Sequence, residues 1–433
     1  MVALHSSCDI EMTEPDRAPH RPRLLVVGDG LAATGFGRVL HSILAHLEPH
    51  YDIHHIGIGY WGDPHDAPWK IYPAQLGGDV YGSGRLAPLI EQLKPDLIFL
   101  VNDIWVLSEY MAAIKLVLQV PRAKVVAYCP IETGPVDKDL LAKIEGLDRF
   151  VVYTRFARDE VETALTRLRQ ERSRFRFPDV QIIPHGVDTA SFPAHAEDVG
   201  EISSDGRRRA LRALYGEEAA ARPWFIVLNA NRNQPRKRID TTIKGFARFA
   251  AGKPDHVKLH LHMGVEDDGW NVVTLAQRHG IADRLILTAH GPQLLAISIP
   301  AVPLAQLRDI YTAAVVGLNT SSSEGWGLVS FEHAATGAAQ VVPRHTACAD
   351  LWEGSAMMLE PVMSLTNPKI LTESYLVSPE GVADALERLY ADRDLLRVMS
   401  IAAYRLATRP ELRWDDIARR WHALFEETLG TRS

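Results

Sequence analysis

Cysteine is scarce in this chain: three among 433 residues, Cys8, Cys129 and Cys348, far apart and odd in number. That excludes a disulfide-stapled scaffold and points to a reducing compartment, so the expected location is the cytoplasm. Long apolar runs are also missing. No stretch approaches the roughly 18 uninterrupted apolar residues of a spanning helix, and the first twenty residues lack the apolar segment of a secretory signal. There is no excess of basic residues: Lys plus Arg total 47 against 54 Asp plus Glu, a formal charge of −7. General attraction to nucleic acid or anionic lipid is therefore excluded, and any cationic site must be local. Internal repeats at solenoid spacing and low-complexity tracts are absent as well. What is present is the balance of a globular protein, 46% hydrophobic and 23% charged, over a length that predicts two domains.

Residues 1–20 are polar and punctuated by proline, and are expected to form a mobile tail. Leu24 to Val27 then forms a short apolar run ending at Gly28-Asp29-Gly30, a buried parallel strand entering a loop. Behind Gly35-Phe36-Gly37, the positions Val39, Leu40, Ile43, Leu44 and Leu47 recur with helical spacing. The alternation of strand and helix continues through strands at 52–59, 96–101 and 124–128 and closes at 181–184. Regularity is lost from about Asp188 to Ala221, and 201–221 reads as a linker with a short helix. A second alternation follows, with strands at 225–230, 257–263, 284–288, 314–319 and 340–342. The expected fold class is α/β: two facing Rossmann-like doubly wound domains, 21–200 and 222–410, with a cleft between them. Residues 411–433 form a final helix with Trp414, Ile417, Trp421, Leu424 and Phe425 on one face.

Open parallel sheets bind ligands at the carboxyl ends of their strands, so function is expected on the loops there. Three loops stand out. In the first, the glycines from Gly28 to Gly37, including Gly35 and Gly37, allow backbone N–H groups to approach a phosphate at a helix N-terminus; their spacing departs from the dinucleotide pattern. The second, Asn231 to Arg238, sets Arg232 and Lys237 where a ligand would sit, cations suited to stabilising a diphosphate leaving group. The third, Ser321 to Glu332, carries Glu324 in a glycine-bearing loop and Glu332 eight positions on, in the helix behind it.

These segments together resemble the family 4 retaining glycosyltransferases of the GT-B fold. Glu324 to Glu332 is similar to that family's pair of glutamates separated by seven residues, flanked by Tyr311-Thr312-Ala313-Ala314 and Ala335-Thr336-Gly337-Ala338. Asn231 to Asp240 resembles its phosphate-contacting loop, and Ile183 to Asp188 the segment that closes its first domain. The resemblance implies transfer of a hexose-type sugar from a nucleotide-diphosphate sugar to an unidentified acceptor. Arg232 and Lys237 would hold the diphosphate, Glu324 the transferred sugar and Glu332 the ribose. Asn231 and the Gly325-Trp326-Gly327-Leu328 stretch would line the donor site, and the last helix would cross back onto the first domain. No cofactor is implied beyond the co-substrate, and no metal. Asp267-Asp268 imitates a metal-binding acid pair but sits in an acidic loop after a strand.

The chain also departs from the family pattern. Arg238 stands where glycine is common, and Asn102-Asp103 replaces a familiar His-containing segment. Asn102, Asp103, Glu132 and His185 are therefore only candidates for acceptor-side contacts. The one basic run, Arg167 to Phe177, reads foremost as a solvated helix end, with a weak contact to a membrane surface or to a nucleic-acid acceptor as the alternative. An epimerase or hydrolase on the same fold and a non-catalytic sugar-nucleotide binder stay open as alternatives.

Overall fold

The computed structural model describes residues 21–31, 34–75, 77–117, 123–194, 198–288 and 302–430. The expected tail 1–20, with Cys8, lies outside the described residues.

The first half alternates strands β1 (Arg23–Asp29), β2 (Asp52–Ile58), β3 (Lys70–Pro73), β4 (Leu97–Val101), β5 (Lys124–Tyr128), β6 (Arg149–Val152) and β7 (Val180–Ile182) with helices. These helices are α1 (Gly35–Leu47), α2 (Ser83–Leu93), α3 (Ile104–Val117), α4 (Lys138–Lys143) and α5 (Arg155–Glu171). The strands form one parallel sheet in the order β3-β2-β1-β4-β5-β6-β7. Central strands such as Leu97–Val101 are buried along their whole length, as a sheet covered on both faces requires.

Helices α6 (Asp205–Tyr215) and α7 (Glu217–Ala220) lead into the second half. Its strands are β8 (Phe225–Asn229), β9 (Val257–Leu261), β10 (Leu285–Leu287), β11 (Val316–Leu318), β12 (Ala339–Pro343) and β13 (Met357–Leu359). They form a second parallel sheet in the order β10-β9-β8-β11-β12-β13. Around it lie α8 (Ile239–Ala250), α9 (Val272–Arg278), α10 (Leu304–Ala313), α11 (Leu328–Ala335), α12 (Thr346–Trp352), α13 (Pro379–Ala391) and α14 (Arg393–Ala407). An antiparallel hairpin, β14 (Pro361–Thr366) and β15 (Glu373–Val377), stands apart from both sheets. Helix α15 (Trp414–Gly430) ends the described chain.

The segment 201–221 is more than a linker. Helix α6 packs on α10, and the Arg207 guanidinium, 3% exposed, donates to the carbonyl oxygens of Glu201, Thr312 and Ala314. It is a built part of the second half, fixed by a buried cation whose charge is shared among carbonyl dipoles.

Helix α15 packs against α1 in the first half. Trp421 is fully buried, with its ring 4.8 Å from Phe99 of β4 and 4.8 Å from Tyr128 of β5. The chain reaches this point through Leu412, whose carbonyl accepts from the Val187 N–H at 2.6 Å. Gly186 is obligatory there, because a Cβ would stand 2.4 Å from the Trp414 indole. One apolar cluster therefore runs from the first sheet through α15 to α11 and α14. Cys129 and Cys348 are both buried free thiols. Among the described residues no helix is long and apolar enough to cross a membrane.

In the basic run, Phe175 and Phe177 pack into the core beside α5. The arginines face outward, and Arg169 and Arg172 lie 3.8 and 4.0 Å from Glu162 and Asp139.

Candidate active site in the cleft

Strand order reverses direction between β1 and β4 in the first sheet and between β8 and β11 in the second. Such switch points leave a crevice at the carboxyl edge, because the flanking helices depart to opposite faces. The segments that leave those strands are, among the described residues, Gly30-Leu31 and Thr34, Asn102-Asp103, Ala230 to Arg238 and Asn319 to Gly327. A cavity of about 720 Å³ opens between them. Its lining includes Gly35, Asn231, Arg232, Lys237, Glu324, Gly325, Trp326, Gly327 and Leu328, with Glu132 and His185 from the first half. A separate cavity of about 600 Å³, beside Tyr215, Trp224 and His260, contains none of the switch-point loops.

The centre of the site is an ion pair. The Lys237 ammonium, 7% exposed, donates to Oε1 of Glu324, 3% exposed. Burial opposes ionisation of Glu324, but Lys237 and then Arg236 outweigh it and hold the carboxyl down to about 2, so it is a carboxylate at neutral pH. The same oxygen accepts from Ser321 Oγ at 2.9 Å and from Asn319 Nδ2 at 3.3 Å. Behind it, Thr346 takes a left-handed φ of 47°, an unusual conformation for a β-branched residue. Its Oγ1 lies 3.2 Å from both the backbone N and the O of Glu324. The carboxylate is thus held from the side chain and from the main chain.

The cationic loop is stitched to the same frame. Asn229, at the end of β8, accepts at Oδ1 from the Asn231 N–H and donates through Nδ2 to Thr242 Oγ1 at 2.9 Å. Thr320 Oγ1 donates to the Arg238 carbonyl at 2.9 Å. Asn233 anchors the loop from outside, donating to Trp270 O at 2.7 Å and accepting from Trp270 N at 3.0 Å. Arg238 has a φ of 50°, the left-handed backbone that explains why glycine suits this place; here arginine fills it, paired with Asp240 at 2.8 Å and lying over the Trp270 ring. Asp267 and Asp268 pair with Arg232, at 2.7 and 3.3 Å.

Two residues that the sequence reading passed over belong to this assembly. Arg236 lies between the two expected cations, 3.2 Å from Glu132 and 3.8 Å from Glu324, bridging the halves. Arg38 of α1 pairs with Glu332, whose other oxygen accepts from the Tyr311 hydroxyl at 3.2 Å. Each sits beside a residue singled out in the sequence, but only the fold brings an arginine of α1 to a glutamate of α11.

Not every candidate faces the cavity. Glu332 is covered by Arg38 and is outside the lining, as are Gly37, Asn102 and Asp103. The Gly37 N–H donates to Thr34 Oγ1 at 2.9 Å, an N-cap of α1. Asn102 Oδ1 accepts from the Asp103 N–H at 2.8 Å, a turn after β4. By contrast Gly35 faces open space, with nothing within 4 Å of an added Cβ.

Asp103 is set apart by its charge state. Burial first, then the neighbouring Glu132 and Asp29, push its carboxyl up to about 6, with Arg236 opposing. A carboxyl raised in the folded state stabilises that state below the ordinary range near 3.8 and loses the contribution as pH climbs through about 6. Asp103→Asn is therefore expected to flatten the fall in stability between pH 4 and 6 and to raise stability at pH 7, by at most about 3 kcal/mol for two pKa units. Thermal melts across that range check this, and a variant less stable than wild type at pH 7 contradicts it.

No protein-family model matches the chain, and no curated protein matches it significantly in sequence. Among solved structures it is similar to sucrose-phosphate synthase from Thermosynechococcus elongatus (18% identity, TM-score 0.66), covering 95% of this chain and 100% of that one. It is also similar to Anabaena HepE in complex with UDP and glucose (15% identity, TM-score 0.64), covering 94% and 100%. A third is an α,α-trehalose-phosphate synthase (UDP-forming) from Burkholderia vietnamiensis (16% identity, TM-score 0.60), covering 94% and 99%. The chain has the GT-B fold. At these identities the likeness carries the fold alone, over 94–95% of the chain, and the chemistry rests on the residues in the cleft.

Proposed function

We propose that the chain is a glycosyltransferase that moves a hexosyl group, with retention of configuration, from a nucleotide-diphosphate sugar to a hydroxyl of an acceptor. The observation that carries the reading is the buried Lys237–Glu324 pair, with Arg232 beside it, on one cavity between two switch points. The solved structures with UDP, or with UDP-forming in their names, support a uridine nucleotide as donor.

Cleavage of the sugar–phosphate bond moves negative charge onto the leaving phosphate. Arg232 and Lys237 are cations that stabilise such charge, and the first turn of α11, behind Gly325 to Leu328, adds its dipole. Glu324, ionised and fixed by Ser321 and Asn319, is suited to accept hydrogen bonds from sugar hydroxyls. For Glu332 to hold the ribose, Arg38 must turn aside. The acceptor oxygen attacks from the face the phosphate leaves, and its proton passes to that phosphate. With two cations and a helix N-terminus at the diphosphate, the reaction needs no metal ion.

The test is turnover of a UDP-sugar in the presence of EDTA, followed by proton NMR of the first-formed product. Undiminished turnover and an anomeric configuration matching the donor are expected. Loss of turnover restored by Mg²⁺ or Mn²⁺, or inversion at the anomeric carbon, overturns those parts of the reading.

A further inference from the structure

The first-half wall of the cleft has a charge pattern that donor binding leaves unused. Asp29 ends β1, and Asp103 and Glu132 come from the loops after β4 and β5; these are neighbouring strands of the first sheet, and Asp29 and Glu132 both act electrostatically on Asp103. Among the described residues one cation faces them, Arg236 at 3.2 Å from Glu132. The others are committed elsewhere: Lys237 to Glu324, Arg232 to Asp267 and Asp268, Arg38 to Glu332. Asp103 accepts no hydrogen bond at its carboxylate among the described residues, and Asp29 accepts one, from Thr34. Burial raises both carboxyls above their usual range.

A second observation points to a ligand at the same place. His185 and Trp326 line the cavity at 8% and 4% exposure, yet both ring nitrogens of His185 and Nε1 of Trp326 have no hydrogen-bond partner among the described residues. Buried polar atoms are rarely left so, because each unmade hydrogen bond costs the group its hydration without return. Burial pushes the His185 imidazolium down to about 3, so the ring is neutral and offers one donor and one acceptor. Its ring lies 5.4 Å from Trp326 and 4.0 Å from Tyr153, an aromatic wall. Glu132 sits next to the donor-sugar position, its Cγ 3.4 Å from where a Cβ on Gly325 would be.

We infer that the acceptor is a polyhydroxylated molecule bearing an ammonium group, bound with its cation at Glu132, on the acidic wall that Glu132 shares with Asp29 along the cavity, and its hydroxyls at His185 and Trp326. The inference rests on the glycosyltransferase reading. The protonated amine is recognised and is not the nucleophile. A neighbouring hydroxyl forms the bond to the anomeric carbon as the bond to phosphate breaks, and its proton leaves with the phosphate. A phosphorylated acceptor meets like charge on this wall and is rejected.

The experiment measures binding of glucosamine, glucose and glucose 6-phosphate to the UDP-saturated full-length protein at pH 7. Glucosamine and glucose differ by one amine for one hydroxyl, so their affinity ratio isolates the cation on each protein variant. A charge-assisted hydrogen bond in a desolvated site predicts glucosamine tighter than glucose by ten-fold or more, with glucose 6-phosphate weakest. In Glu132→Gln the ratio should shrink to within about three-fold, since the substitution removes the carboxylate partner. Equal binding of the three sugars, tighter binding of glucose 6-phosphate, or no binding of any of them overturns the inference while UDP binding stands. Failure of UDP itself to bind contradicts the glycosyltransferase reading, and the inference falls with it.

Discussion

Lys237→Ala is expected to reduce donor turnover by two orders of magnitude or more, in line with loss of a preorganised group at a developing charge. It is also expected to destabilise the fold by about 3–5 kcal/mol, because Glu324 would remain a buried carboxylate without its main counter-ion. The two effects have separable causes. Arg236 reaches Glu324 only at 3.8 Å, too far to replace the direct contact. The double variant Lys237→Met with Glu324→Gln removes both charges while keeping shape, so it should recover most of the lost stability, as substitution of a whole buried pair often does. It should recover none of the turnover. Denaturant melts alongside donor turnover check this. If the double variant is as unstable as the single, the pair is not what holds this region; if it regains activity, neither charge acts on the donor.

Trp421→Ala should cost about 3–5 kcal/mol, the range for truncating a large aromatic in a packed core. The ring is fully buried against Phe99, Tyr128 and Phe425, so little of the space left can be refilled. It is also the inner face of the helix that returns the chain from the second half to the first. The side-chain bond from His46 to Asp415 at 2.8 Å remains, but an exposed pair of this kind contributes little. The same truncation at Trp61, 68% exposed, should change stability by less than about 0.5 kcal/mol. Urea melts of the two variants compare them directly, and similar midpoints would contradict this account of α15.

Much of the architecture was legible because parallel strands buried on both faces write themselves as continuous apolar runs. Leu24 to Val27, Leu97 to Val101 and Phe225 to Leu228 are all of this kind. β3 and β6 escaped notice. Each has four residues, and Lys70-Ile-Tyr-Pro at the sheet edge carries neither a long apolar run nor clear alternation. The hairpin β14–β15 escaped for another reason. Its residues 362–371 are all exposed, so no burial pattern marks them. α6 was underestimated because its arginines read as a solvated surface, whereas Arg207 is buried beneath carbonyl groups.

The site was legible where its chemistry is local in sequence. Glu324 and Lys237 stood out as an acid in a glycine-bearing turn and a cation after a strand, and the fold puts them in contact. Partners from the other half were invisible. Nothing in the neighbourhood of Arg38 announces Glu332, nor does anything near Glu132 announce Arg236, because those pairs exist only once two sheets face each other. Thr346 is a further case, since its left-handed φ is a property of the backbone path around Glu324.

The measurement that bears most directly on the central claim is donor turnover across UDP-, GDP- and ADP-sugars, comparing wild type with Glu324→Gln. Turnover of one donor class by the wild type, reduced at least about 100-fold in Glu324→Gln with the fold intact, is the predicted result. A variant that turns over the same donor as fast as wild type would remove Glu324, and the cavity it anchors, from the reaction.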